Sequence, residues 1–191
     1  ELGDAYHKTG RYRQERKLYR MAEKYIPEEP WIIRFQARLA LSQKDSKKVD
    51  RYLTKYISVL KGNSSSEGTI AAGLAWIYSM SGIPDKAEEN YRRSVMLEPD
   101  NTSGLHNFAT FLINKNRHLD EVSGLMDRAM ELAPDRYSYY NYSDTKGWGV
   151  YKQGKHKEAL EILEKTWNDA PYKLYSIKSH LEEVRKAVAG Q

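Results

Sequence analysis

Cysteine is absent from all 191 residues, which excludes disulfides and thiolate metal sites and leaves the redox compartment open. Long apolar runs are missing too: nothing approaches the roughly 20 residues a membrane-spanning helix needs, and no signal-peptide core opens the chain. Hydrophobic residues make up 40% and charged residues 30%, the balance expected of a soluble globular chain rather than a disordered one. Phenylalanine is scarce, 3 against 15 tyrosines. There is no initiator Met, so the chain is expected to be a piece of a longer protein, in a cytoplasm or a periplasm that composition does not distinguish.

Catalytic patterns are equally hard to find. His7, His106, His118, His156 and His180 show no metal-binding spacing, and no G-x-S-x-G elbow occurs. Paired acids such as Glu88–Glu89 and Asp120–Glu121 fall where helices start and complement the helix dipole. The stretch GWGVYKQGKHKE (147–158) has the glycines and lysines of a phosphate loop but neither of its spacings. No enzyme, cofactor or metal is expected from these residues.

A repeat is present instead. In residues 73–101, Leu74, Ala75, Tyr78, Gly82, Ala87, Tyr91, Ser94 and Pro99 mark two amphipathic helices joined by a turn at Gly82–Pro84. Moving the template back by 72 residues gives Leu2, Gly3, Tyr6, Gly10, Tyr19, Ala22 and Pro27; moving it forward by 72 gives Gly147, Val150, Gly154, Ala159, Leu163 and Pro171. A shift of 34 finds Phe108, Ala109, Leu112 and Asn116, and one added residue then restores the phase at Val122, Met126, Ala129 and Pro134. The copy 38 residues back is the weakest, with Lys44 where the turn glycine should be and no closing proline. Glu1 falls partway into the first helix of this pattern. Extra residues sit in KGNSSSEG (61–68) and in DRYSYYNY (135–142), the second expected as a tyrosine-rich inserted loop.

This 34-residue helix–turn–helix pattern resembles the tetratricopeptide repeat family. The resemblance covers the whole chain and implies an all-α fold, an α-solenoid of stacked hairpins winding into a right-handed superhelix. One solenoid domain over 1–191 is expected. Its repeats fall near 1–29, 30–63, 68–101, 102–136 and 140–172, and a capping helix over 173–189 carries the stripe Leu174, Ile177, Leu181, Val184 and Val188. Gly147 is expected where the two helices of a hairpin approach closely, and Lys146 departs from the family by standing at an apolar position.

The resemblance also implies that the first helix of each hairpin lines a concave groove for a protein or extended peptide. Carried over residue by residue, the groove receives Asp4, His7 and Lys8, then Trp31, Arg34, Arg38 and Leu41, then Ala72, Trp76 and Ser79, then His106, Thr110 and Asn114, and finally Asp144, Trp148, Tyr151 and Lys152. Arg34 and Arg38, four apart, could fork a carboxylate or phosphate; either could equally be paired with a nearby acid. Trp76 and Trp148 read as binding anchors or as core. The asparagine–lysine set with which some family members grip chaperone tails is absent from any three neighbouring copies.

Charge is uneven. Residues 1–60 carry 14 Lys/Arg and 8 Asp/Glu, whereas residues 61–191 carry 17 and 18, so an acidic partner segment is favoured. The expected function is therefore a non-enzymatic interaction scaffold. Two alternatives remain: self-assembly through exposed tyrosines, and contact with an anionic surface or nucleic acid. The latter would use basic stripes on the second helices, Arg13, Arg16, Lys17, Arg20 and Lys24 with Lys47, Lys48, Arg51 and Lys55. Groove residues are not periodic enough for sequence-specific RNA reading, so no specific nucleic acid is expected. The oligomeric state is left open.

Overall fold

The computed structural model describes residues 1–171 and 174–190. Among them are eleven helices and no strand: α1 Leu2–Lys8, α2 Tyr12–Tyr25, α3 Pro30–Ser42, α4 Ser46–Gly62, α5 Glu67–Met80, α6 Pro84–Leu97, α7 Thr102–Lys115, α8 Glu121–Glu131, α9 Arg136–Lys152, α10 His156–Asp169 and α11 Tyr175–Ala189. The expected border between the last hairpin and its cap, at 172 and 173, lies outside the described residues.

A single turn geometry recurs between the helices of each hairpin. Gly10, Lys44, Gly82, Asn116 and Gly154 occupy equivalent places, and all have left-handed φ, at 69°, 55°, 72°, 52° and 82°. A Cβ disfavours that region, which is why glycine holds three of the five. Lys44 adopts the turn without being glycine, and Lys44→Gly is expected to stabilise the protein by about 0.5–1 kcal/mol, read from a urea midpoint. An unchanged or lowered midpoint would show that Lys44 carries no strain.

The chain clusters into two compact units, Glu1–Ser94 and Val95–Gln191. In the first, α2 packs on α3, α3 on α4, and α3 on α5. Ile33, Ala37, Tyr56, Leu60, Ile70 and Ile77 form one core cluster, with Tyr19, Ile32 and Leu39 in another. In the second unit α9 packs against α7, α8, α10 and α11, around Val150, Ala159, Leu163, Leu181 and Val184. Each Leu or Ile so buried contributes about 1.5–3 kcal/mol of transfer free energy. No hairpin could bury its apolar stripe alone, so stacking first helix on first helix is what closes these cores.

Two sequence expectations change. Residues 136–142 are not a loop: Asp135 accepts a hydrogen bond from the Ser138 amide at 2.7 Å, and α9 starts at Arg136. The added residues lengthen the helix, so Tyr140 and Tyr142 are buried, while Tyr137 and Tyr139 stay exposed. Lys146 does not intrude on the core either, because its ammonium reaches Asp127 on α8 at 2.6 Å. Gly147, by contrast, stands at a close approach: a Cβ there would lie 2.7 Å from Leu163 Cγ.

Candidate functional site

The first helices bring some of the expected groove residues together, Trp31, Arg34 and Trp76 in the first unit and Trp148, Tyr151 and Lys152 in the second. In the first unit Trp31, Arg34 and Phe35 sit on successive turns of α3. Trp31 meets Phe35 edge-on at 6.3 Å, and Phe35 meets Trp76 of α5 edge-on at 5.3 Å. The Arg34 guanidinium lies over the Trp76 ring, 4.3 Å from its centroid. Trp31 is 40% exposed, Lys8 is exposed at the end of α1, and Trp76 is half-buried against the core. Phe35 was not among the expected residues; the signal for it was its i+4 spacing from Trp31.

Arg38 has a different role from Arg34. It is 2% exposed, donates from Nη1 to Asp4 Oδ1 at 2.6 Å, and places Nη2 3.5 Å from Glu15 Oε1. Glu15, itself 0% exposed, also takes His7 Nδ1 at 3.0 Å. His7 Nε2 lies 3.1 Å from the Ser42 hydroxyl, so the ring bridges Glu15 and Ser42. The Arg38 hydrogen bond holds the Asp4 carboxyl below the usual carboxylate range. The two arginines expected to form one fork therefore divide: Arg38 binds acids of its own chain, and Arg34 has no acidic partner among the described residues.

The second unit builds a comparable cluster on α9. Trp148 stacks on Tyr151 at 4.9 Å and on His180 of α11 at 4.2 Å with an interplanar angle of 13°. The Lys152 ammonium sits 4.2 Å from the Trp148 centroid. His180 Nδ1 lies 2.9 Å from the buried Asp144 carboxylate, which fixes the imidazole against the indole. Lys152, like Arg34, has no acidic partner among the described residues. His180 was read only as part of a cap, because nothing in α11 by itself shows that it reaches Trp148. Asn114 is exposed near the end of α7.

His106 on α7 is half-buried, with Nε2 3.0 Å from Thr145 Oγ1. That hydroxyl donates to the Asn141 carbonyl, so the imidazole Nε2–H is the donor between them. Burial lowers the His106 pKa, with Asp144 opposing. An unfolded His takes a proton near pH 6.5 that the folded residue resists. Its contribution to stability is therefore present above that pH and lost as pH falls below it towards the folded value. His106→Gln, which keeps a donor to Thr145, is expected to flatten stability between pH 7 and pH 5 in urea titrations at each pH; an unchanged slope would assign the acid loss to other groups.

Among the described residues no group of three or more His, Asp or Glu could hold a metal, and no helix is long and apolar enough to cross a membrane. No family model and no curated protein matches the sequence. Solved structures do match. YrrB, described as a TPR protein with an unusual peptide-binding site, aligns with a TM-score of 0.56 at 15% identity, over 95% of this chain and 88% of its own. A tetratricopeptide repeat protein from Parabacteroides merdae aligns with a TM-score of 0.58 at 16% identity, over 99% and 72%. TTC0263, a TPR protein of Thermus thermophilus, aligns with a TM-score of 0.58 at 15% identity, over 97% and 96%.

Proposed function

Proceeding from a tetratricopeptide-repeat fold, we propose that this chain is a non-enzymatic scaffold that binds an extended protein or peptide segment on its first-helix faces. One observation carries the reading. Each unit holds a tryptophan with a cation seated on its ring, Arg34 on Trp76 and Lys152 on Trp148, and neither cation has an acidic partner among the described residues. The two tryptophans stand 72 residues apart, at equivalent places in the repeat. Indole supplies a flat apolar area of the kind that dominates binding energy. The cation, already oriented on the ring, would pair with an incoming carboxylate. The preferred segment is therefore acidic with interspersed apolar residues. The peptide-binding site named for YrrB agrees with this class of partner.

Selection of displayed random 12-residue peptides on the 191-residue chain is the test. Enrichment of Asp/Glu beside aromatic or aliphatic residues is expected, with the selected peptide bound about tenfold more weakly by Arg34→Glu or by Lys152→Glu. Peptides selected without acidic bias, or bound equally well by both variants, would remove the reading.

A further inference from the structure

The second helices of the first unit carry a surface that this groove reading does not use. Arg13, Lys17, Arg20 and Lys24 fall at i, i+4, i+7 and i+11 on α2, one exposed line about 16 Å long at 1.5 Å per residue. Lys47 and Arg51 add one face of α4. Arg16 and Arg20 line the same crevice as Lys48 and Tyr52, so the two helices present their cations side by side. Neighbouring cations on these helices are already paired, Lys48 with Asp45 and Lys55 with Glu23. Arg13, Lys17, Arg20, Lys24, Lys47 and Arg51 make no ion pair among the described residues.

From this surface we propose that the exposed face of α2 and α4 docks the protein on an anionic phospholipid bilayer. Charge complementarity supplies the attraction, since each Lys or Arg near such a surface is drawn by its negative potential. The choice of a bilayer over a nucleic acid rests on the exposed apolar side chains at the C-terminal end of this line. Met21 is 53%, Tyr25 76% and Ile26 45% exposed, and they follow directly on Arg20 and Lys24. Such side chains can enter the headgroup–acyl boundary but find nothing to contact on a phosphate backbone. The line is straight, which suits a flat surface.

Sedimentation of the full chain with vesicles tests this. Binding is expected to phosphatidylcholine vesicles containing about one-third phosphatidylserine, and not to phosphatidylcholine alone, with loss as ionic strength rises above about 0.1 M. Arg13→Gln/Lys17→Gln/Arg20→Gln/Lys24→Gln should weaken binding about 100-fold or more. The charge-keeping Arg13→Lys/Arg20→Lys should retain it, which separates lost charge from lost fold. Met21→Ser/Ile26→Ser should weaken vesicle binding several-fold while leaving any binding to poly-glutamate or duplex DNA unchanged. Failure to sediment with the anionic vesicles, or retention by the four-glutamine variant, would overturn the proposal. So would equal binding to duplex DNA with the Met21/Ile26 variant silent, which would mark a general polyanion surface. Peptide selection by the groove is read independently of any of these outcomes.

Discussion

Arg38→Met is expected to destabilise the first unit by about 3–5 kcal/mol, because it takes the guanidinium away from the fully buried Glu15 carboxylate. Replacing both partners, Arg38→Met with Glu15→Leu, should destabilise less than Arg38→Met alone. Removing a buried charge together with its counter-charge avoids the desolvation that a lone charge suffers. The coupling shows in urea midpoints of the two single variants and the double variant. Simple addition of the single effects would mean that the guanidinium and the carboxylate do not depend on one another. The acid limb should change as well. Asp4 is held below its ordinary range by Arg38, so its contribution is present above the unfolded carboxylate pKa and lost as pH falls through the folded value. Arg38→Met should remove that loss.

Gly147→Val is the second large effect. A Cβ at 147 would lie 2.7 Å from Leu163 Cγ and 2.8 Å from its Cδ2, and Leu163 is 0% exposed. The helix gains some propensity when it loses a glycine, but a branched side chain must drive α9 and α10 apart in a filled core. A net cost of about 2–3 kcal/mol is expected in the second unit, the upper part of the range for overpacking. Leu163→Ala costs about 2–5 kcal/mol by itself through the cavity it leaves. Combined with Gly147→Val it should cost less than the sum, since the valine enters space the leucine vacated. Calorimetric Tm values decide it; strict additivity would place the clash elsewhere.

Much of the architecture was legible because it depends on local rules repeated along the chain. Apolar positions at helical spacing, a turn residue in each hairpin and a 34-residue period suffice to specify helices, their order and their pairing. The αL turns at Gly10, Gly82 and Gly154 could be read from residue type alone. Where type and position disagreed, the reading faltered. Tyr137–Tyr142 looked like loop because they exceed the repeat length, yet the Asp135 cap and the packing of Tyr140 against Ala170 and Ile177 make them helix.

For the candidate site, residue type and helix position were legible in the sequence, and the contacts of each side chain were not. Arg34 and Arg38 share residue type, helix and face, and differ only in what α1, α2 and α5 bring to them. One meets Trp76, the other meets Asp4 and Glu15. In the same way His180 became part of the Trp148 cluster through a neighbour 36 residues away, Asp144. The sequence by itself determined the repeating helical hairpins, since periodicity and turn chemistry act within a few residues. Only the tertiary structure decided which charges are paired inside the fold and which are not, because burial and pairing are properties of elements that meet across the chain.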